Sequence, residues 1–132
     1  PIHRYRVTRD LESVGCTVVS VGAGDELVSR ANSGVKFDLI VTALKLPKLG
    51  AIDIVKLIKH TNGINSRTPI IAITNFYHEA ISAKVFDDVL EKPIMLDEIR
   101  HLVAKYALKK SQEESTIVSD SDDAMVYQET SS

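Results

Sequence analysis

The chain has 132 residues, 44% of them apolar, with a formal net charge of −2 and a sequence pI near 6.1. That length suits one domain with a tail, the apolar share allows a buried core, and the balanced charge with no Trp argues against a base-stacking nucleic-acid interface. No apolar run reaches the roughly 18 residues of a membrane span, and the single cysteine, Cys16, permits neither an internal disulfide nor a cysteine-built metal site.

Residues 5–14, "YRVTRDLESV", place Val7, Leu11 and Val14 at helical spacing, and Gly15 follows as a stop. "CTVVSVG" is rich in β-branched residues and predicts a short strand. Cys16 beside it reads as a small buried hydrophobe. Asp25 is positioned to cap a second helix over about 25–34, with Leu27, Val28 and Ala31 inward and Gly34 at its end. Residues 37–43, "FDLIVTA", form a nearly continuous apolar run, the pattern of a strand buried on both faces of a parallel sheet. "LPKLG" is a loop, and "IDIVKLIKH" (52–60) predicts a third helix. "TNGINSRTP" reads as a polar connection, and "IIAIT" (70–74) as another buried strand.

Residues 75–86, "NFYHEAISAKVF", predict one or two helical turns from about Glu79, and "DDVLEKP" (87–93) a strand ending in a Lys-Pro step. The last helix, about 97–109, has Ile99, Leu102, Val103 and Tyr106 on one face and Asp97 and Glu98 in its first turn, where the helix dipole favours acids. Beyond Lys110 the periodicity stops. Residues 110–132 carry six acids and one lysine, a net of −5, against +3 for residues 1–109. Few apolar residues among many acids and hydroxyls predict disorder. The division is therefore a folded domain over 1–110 and an acidic, serine-rich tail over 111–132.

Alternation of helices and strands predicts an α/β fold, a doubly wound parallel sheet with helices on both faces. Ligands in such folds sit at the carboxyl ends of the strands, here Ala43, Thr74 and Lys92. The four histidines, His3, His60, His78 and His101, show no paired ligand spacing, so no metal site is read from them.

Those three strand ends carry a resemblance. "FDLIVTALKLPKLGA", "PIIAIT" and "DDVLEKP" are similar to the three signal strands of response-regulator receiver domains, from about residue 4 to 109. The resemblance implies the flavodoxin-like receiver topology, with strand order 2-1-3-4-5. In that family the first signal strand ends in a phosphoacceptor Asp, the second in Thr or Ser, and the third in Lys followed by Pro in a cis bond. It implies that Thr74 donates its hydroxyl to a phosphoryl oxygen and that Lys92, with Pro93 after it, pairs with the charge.

Departures from the family are as informative. The phosphoacceptor position holds Ala43, the acid-glycine pair after the loop becomes Gly50-Ala51, and the aromatic switch position falls on Val89. The family's first strand, ending in two metal-binding acids, has no counterpart before "PIHRYRVTRDLESVG". Strand 1 is thus expected to be missing, leaving a gap inside the sheet. Since the chain opens on Pro1 rather than Met, the natural protein is expected to begin earlier. Magnesium would then be a cofactor only if acids upstream supply its ligands.

Phosphoryl transfer to protein needs a nucleophile, a cation and oxygen donors, and Ala43 offers only a methyl group. Asp38 is five residues back, roughly 16 Å along the strand. Thr42 points to the opposite face, and Asp53 opens the third helix. Thr74 and Lys92 have two readings: retained for structure, or binding an anion. In the tail, Ser111, Ser119 and Ser121 precede acids, as in substrates of acid-directed kinases, against the blander reading of a solubilising terminus.

"DDVLEKP", "KYALKKSQEE" and the acidic serine tail further resemble the C-terminal end of large fungal serine/threonine kinases of the AGC class that act in nutrient and quiescence signalling. No kinase motif lies in these residues. The reading is a non-phosphorylatable receiver-like interaction module in signal transduction, with no catalytic residue of its own. The alternative is an active phosphorelay receiver accepting phosphate from a histidine donor. Expected partners are other proteins or upstream domains of the same chain, not nucleic acid or membrane. The expected location is cytoplasmic, with the nucleus as a second compartment.

Overall fold

The computed structural model describes residues 6–106 and 115–119. Its elements run α1 (Arg6–Ser13), β1 (Thr17–Val21), α2 (Gly24–Ala31), β2 (Leu39–Thr42), α3 (Ala51–Lys59), β3 (Ile70–Thr74), α4 (Tyr77–Ala83), β4 (Asp88–Glu91), α5 (Leu96–Tyr106) and β5 (Ser115–Ser119). The strands form one parallel sheet in the order β1-β5-β2-β3-β4. Helices cover both faces, as the alternation predicts.

β1 and β2 are separated by one strand position, the one that the sequence reading leaves empty. β5 fills it. It pairs with β1 from Thr17↔Ser115 to Val21↔Ser119 and with β2 from Leu39↔Thr116 to Thr42↔Ser119. This corrects the expectation of a gap, and of disorder throughout 111–132: residues 115–119 are a central strand. The remainder of the predicted tail, with Ser111 and Ser121, lies outside the described residues. Composition averaged over the acidic segment hid a short run, Thr116, Ile117 and Val118, whose β-branched side chains suit a strand covered on both sides.

Alternation along β5 joins the two cores. Val118 lies in the layer with Val7 and Leu11 of α1, Val41, Ile73, and Ile99, Leu102 and Val103 of α5. Ile117 lies in the opposite layer with Leu27 of α2, Ile40, Ile70, and Ile54, Val55 and Ile58 of α3. Both are fully buried. Cys16 packs at the margin of the first layer.

Several element ends differ from expectation. Asp25 does not cap α2. Ala23 holds the N-cap position without a side-chain bond, and Asp25 instead accepts from the adjacent Glu26 amide at 3.0 Å. Glu26 turns back to accept from the Gly22 amide, one residue before the N-cap, at 3.0 Å. Helix α2 ends at Ala31, before Gly34, which lies at φ 98° in the left-handed region. α4 begins at Tyr77 rather than Glu79 and has seven residues, closed by Lys84 in the left-handed region.

The connection "TNGINSRTP" is polar but not solvated throughout, because Asn65 and Thr68 are fully buried. Asn65 Oδ1 accepts from the Phe37 amide at 2.8 Å and the Thr68 hydroxyl at 2.9 Å. Its Nδ2 donates to Ala31 O at 2.7 Å and Val35 O at 2.8 Å. One side chain thus satisfies the end of α2 and the approach to β2, groups that burial would otherwise leave unpaired.

Asn65→Leu is expected to lower unfolding stability by about 2–4 kcal/mol, since it orphans several buried groups at once. Ile117→Ala should cost about 2–4 kcal/mol by cavity formation, and should also speed hydrogen exchange in β1 and β2. Denaturant titration and exchange mass spectrometry check both.

Candidate functional site

The carboxyl ends of β2, β3, β4 and β5 share one edge of the sheet. Ala43 follows β2 and is 1% exposed, and its amide donates to Ser119 O at 2.9 Å, which extends the ladder one residue past β2. Thr74 ends β3 and is fully buried. Lys92 follows β4, and its amide donates to Thr74 O at 3.0 Å. The three predicted strand ends therefore do meet, and Lys92-Pro93 is cis.

The hydroxyls at this edge are engaged in the backbone and in each other. Thr74 Oγ1 accepts from the Phe76 amide at 3.0 Å, which fixes the turn into α4. Thr42 Oγ1 donates to Ala43 O at 2.8 Å and lies 2.8 Å from Ser119 Oγ. Thr42 belongs to the face covered by α2 and α3, the side on which the alternation places Ile40 and Ile117. The half-buried Lys92 lines an open cleft of about 490 Å³ with Tyr77, Val89, Glu91, Pro93 and Glu98. Val89, at the switch position, sits opposite Ala72 and packs on the layer of Leu44, Ala51, Ala72 and Ala80.

Two contacts across the mouth were not legible in the sequence. Lys45 Nζ lies 3.4 Å from Glu79 Oε1 and 4.4 Å from the centroid of the Phe76 ring, linking the loop after β2 to α4. The pair is about half exposed, so its contribution is small. Only spacing across 34 residues of chain could have flagged it. The loop itself is held from the other side. Gly24 donates to Pro47 O at 3.1 Å and Ala51 to Leu44 O at 3.1 Å, and Lys48 lies at φ 73°.

A magnesium ion takes oxygen ligands, chiefly carboxylates and waters. Among the described residues no group of three His, Cys, Asp or Glu could hold a metal ion, and the strand ends present a methyl group, hydroxyls and one ammonium. These residues do not fit the cation. Likewise Asp38 stands at the opposite end of β2 from Ala43, and Asp53 lies exposed in the first turn of α3. No helix among the described residues is long and apolar enough to cross a membrane.

Comparison with known proteins agrees with this geometry. The family model described as "Response regulator receiver domain" matches residues 1–104. The chain is 77% identical over 125 residues, 93% of its length, to serine/threonine-protein kinase RIM15 of Saccharomyces cerevisiae, of which it spans 7%. It is 31% identical over 87 residues, 63% of its length, to hybrid signal transduction histidine kinase G of Dictyostelium discoideum, of which it spans 2%. The match thus corresponds to a small part of each relative. Among solved structures, the receiver domain of the Francisella response regulator 1452 superposes with a TM-score of 0.65 at 25% identity, covering 78% of this chain and 85% of that one.

A Cβ added at Gly24 would stand 2.0 Å from Leu49 O, a backbone atom that cannot turn aside. Gly24→Ala is therefore expected to cost about 1–3 kcal/mol and to shift the amide resonances of residues 44–50, read by heteronuclear NMR beside a thermal melt.

Proposed function

Because the chain belongs to the response regulator receiver domain family, we propose that it is a receiver-like module that takes no phosphoryl group and works by binding protein. The observation that carries this reading is Ala43. At the strand end where the family presents its nucleophile, the chain has a buried methyl group, and the nearest threonine, Thr42, has its hydroxyl turned to the other face and bonded to Ala43 O and Ser119. Acyl-phosphate chemistry needs a carboxylate there.

The remaining pocket residues support a structural use. Thr74 caps the turn into α4, and Val89 is seated in the apolar layer below that helix. An aromatic switch that swings between inward and outward positions has no equivalent in this short branched side chain. The domain is held in one arrangement and offers its helical faces to a partner protein or to another part of its own polypeptide. The identity to RIM15 supports placing the module within a serine/threonine kinase. Kinase chemistry would then belong to other segments of that polypeptide.

The test is incubation with acetyl phosphate and magnesium, followed by intact mass and hydroxylamine treatment. The expected mass is unchanged. A hydroxylamine-labile adduct on the natural sequence would overturn the reading in favour of an active phosphorelay receiver fed by a histidine donor. In the Ala43→Asp variant, gain of the adduct assigns Thr74 and Lys92 a retained donor role.

A further inference from the structure

Of the four asparagines, Asn32, Asn62, Asn65 and Asn75, only Asn62 is followed by glycine. It stands in the connection from α3 to β3, exposed, with φ 63° in the left-handed region that Asn tolerates. Among the described residues its carboxamide makes no hydrogen bond, and the Gly63 amide donates to no acceptor. Three residues on, the carboxamide of Asn65 is in the opposite condition, buried and bonded to Phe37 N, Ala31 O and Val35 O. We propose that Asn62-Gly63 is a self-modifying site. The Gly63 amide closes on the Asn62 side chain and converts it to aspartyl and isoaspartyl forms, and the isoaspartyl form loosens the hold of Asn65 on α2 and β2.

Asparagine is a thermolabile residue because the backbone beside it can expel its amide. The Gly63 nitrogen gives up its proton to water and attacks Asn62 Cγ. The N–Cγ bond forms, the Cγ–Nδ2 bond breaks, and Nδ2 takes up a proton and leaves as ammonia. Water then opens the five-membered imide. Cleavage at Cγ restores the ordinary peptide bond and leaves an aspartate. Cleavage at the main-chain carbonyl routes the backbone through Cβ and Cγ. Water is the sole co-reactant. The turn meets each requirement: glycine has no Cβ to crowd the attacking nitrogen, neither reacting group must first break a hydrogen bond, and Gly63 is open to solvent on one side.

The two products act differently on the fold. Aspartate keeps the length of the chain, tolerates the left-handed turn as asparagine does and adds one exposed negative charge. The isoaspartyl form lengthens the main chain by one carbon just before Gly63, where there is little slack. A Cβ on Gly63 would already stand 3.3 Å from Asn32 Oδ1, at the end of α2. Gly63 O accepts from the Ser66 amide at 3.1 Å, and Asn65 O from the Thr68 amide at 3.1 Å. Displacing this turn moves Asn65, and with it the partner of the buried Phe37 amide and of the Ala31 and Val35 carbonyls. The inference does not depend on the reading of Ala43.

The test holds the folded chain at mildly alkaline pH, below its melting temperature, and samples it over time. Cleavage after Lys59 and Arg67 releases residues 60–67, which contain both Asn62 and Asn65. The expected result is a gain of about 1 Da in this peptide, placed at Asn62 by fragmentation, with methyl acceptance from S-adenosylmethionine and an isoaspartyl methyltransferase. Gly63→Ala should slow the conversion by about 10-fold or more, and Asn62→Gln should abolish it. The isoaspartyl form, separated by chromatography, is expected to exchange the Phe37 amide about 10-fold faster than the unaged chain. Amides of α5 stay protected, and Asn62→Asp exchanges at the unaged rate. Conversion confined to the denatured chain, conversion first at Asn32, Asn65 or Asn75, or an equal rate in Gly63→Ala overturns the site. Conversion at Asn62 with unchanged exchange at Phe37, or with equal loss of protection in every element, overturns its coupling to Asn65.

Discussion

A parallel sheet with its middle position empty has two edges that face each other across one strand width, each with a row of unpaired amides and carbonyls. Water cannot serve them once helices cover both faces. The fold described here depends on that position being filled. β5 pairs with β1 on one side and β2 on the other, and it is the only strand, among the described residues, that connects β1 to the rest of the sheet. Its two central side chains then face opposite layers, Ile117 under α2 and α3 and Val118 under α1 and α5. Five residues thus join both halves of the core.

The two ends of the sheet are treated differently. At the amino ends, Asn65 meets the backbone between α2 and β2 with donors and acceptors in matching places. At the carboxyl ends, hydroxyls do comparable work: Thr42 and Ser119 bond to each other, and Thr74 bonds to the start of α4. In a fold that conventionally binds ligands at this edge, polar groups committed to backbone and to one another leave little to meet a substrate. Lys92, half-buried, lines an open cleft beside them. The chain keeps the shape of a receiver, with a buried methyl group, Ala43, at the end of β2. Proteins commonly use one fold for several functions by changing the site and keeping the frame.

Much of the frame was legible because its signals are local. Continuous apolar runs mark β2 and β3 as strands covered on both faces, the 3.6-residue spacing marks α5, and Thr74, Lys92 and Pro93 stand at strand ends by simple count. The misreadings share a cause. Asp25 has the chemistry of a cap, but the chain enters α2 two residues earlier, at Ala23, with Gly24 pressed against the loop at Leu49. Asn65 has the chemistry of a turn, but three backbone groups distant in sequence close around it. Ser115–Ser119 has the composition of a solvated tail until its neighbours on both sides are known.

The sequence by itself determined the class of the fold, the order of most elements and the methyl group that stands at position 43, since period, turn chemistry and residue identity are properties of short windows. Only the tertiary structure decided which segment fills the centre of the sheet and which hydroxyls meet there. Strand pairing is a choice among partners far apart in the chain. Its driving force, burial on both faces with both edges hydrogen-bonded, exists only once β1, β2 and the four helices α1, α2, α3 and α5 have defined the space that β5 occupies.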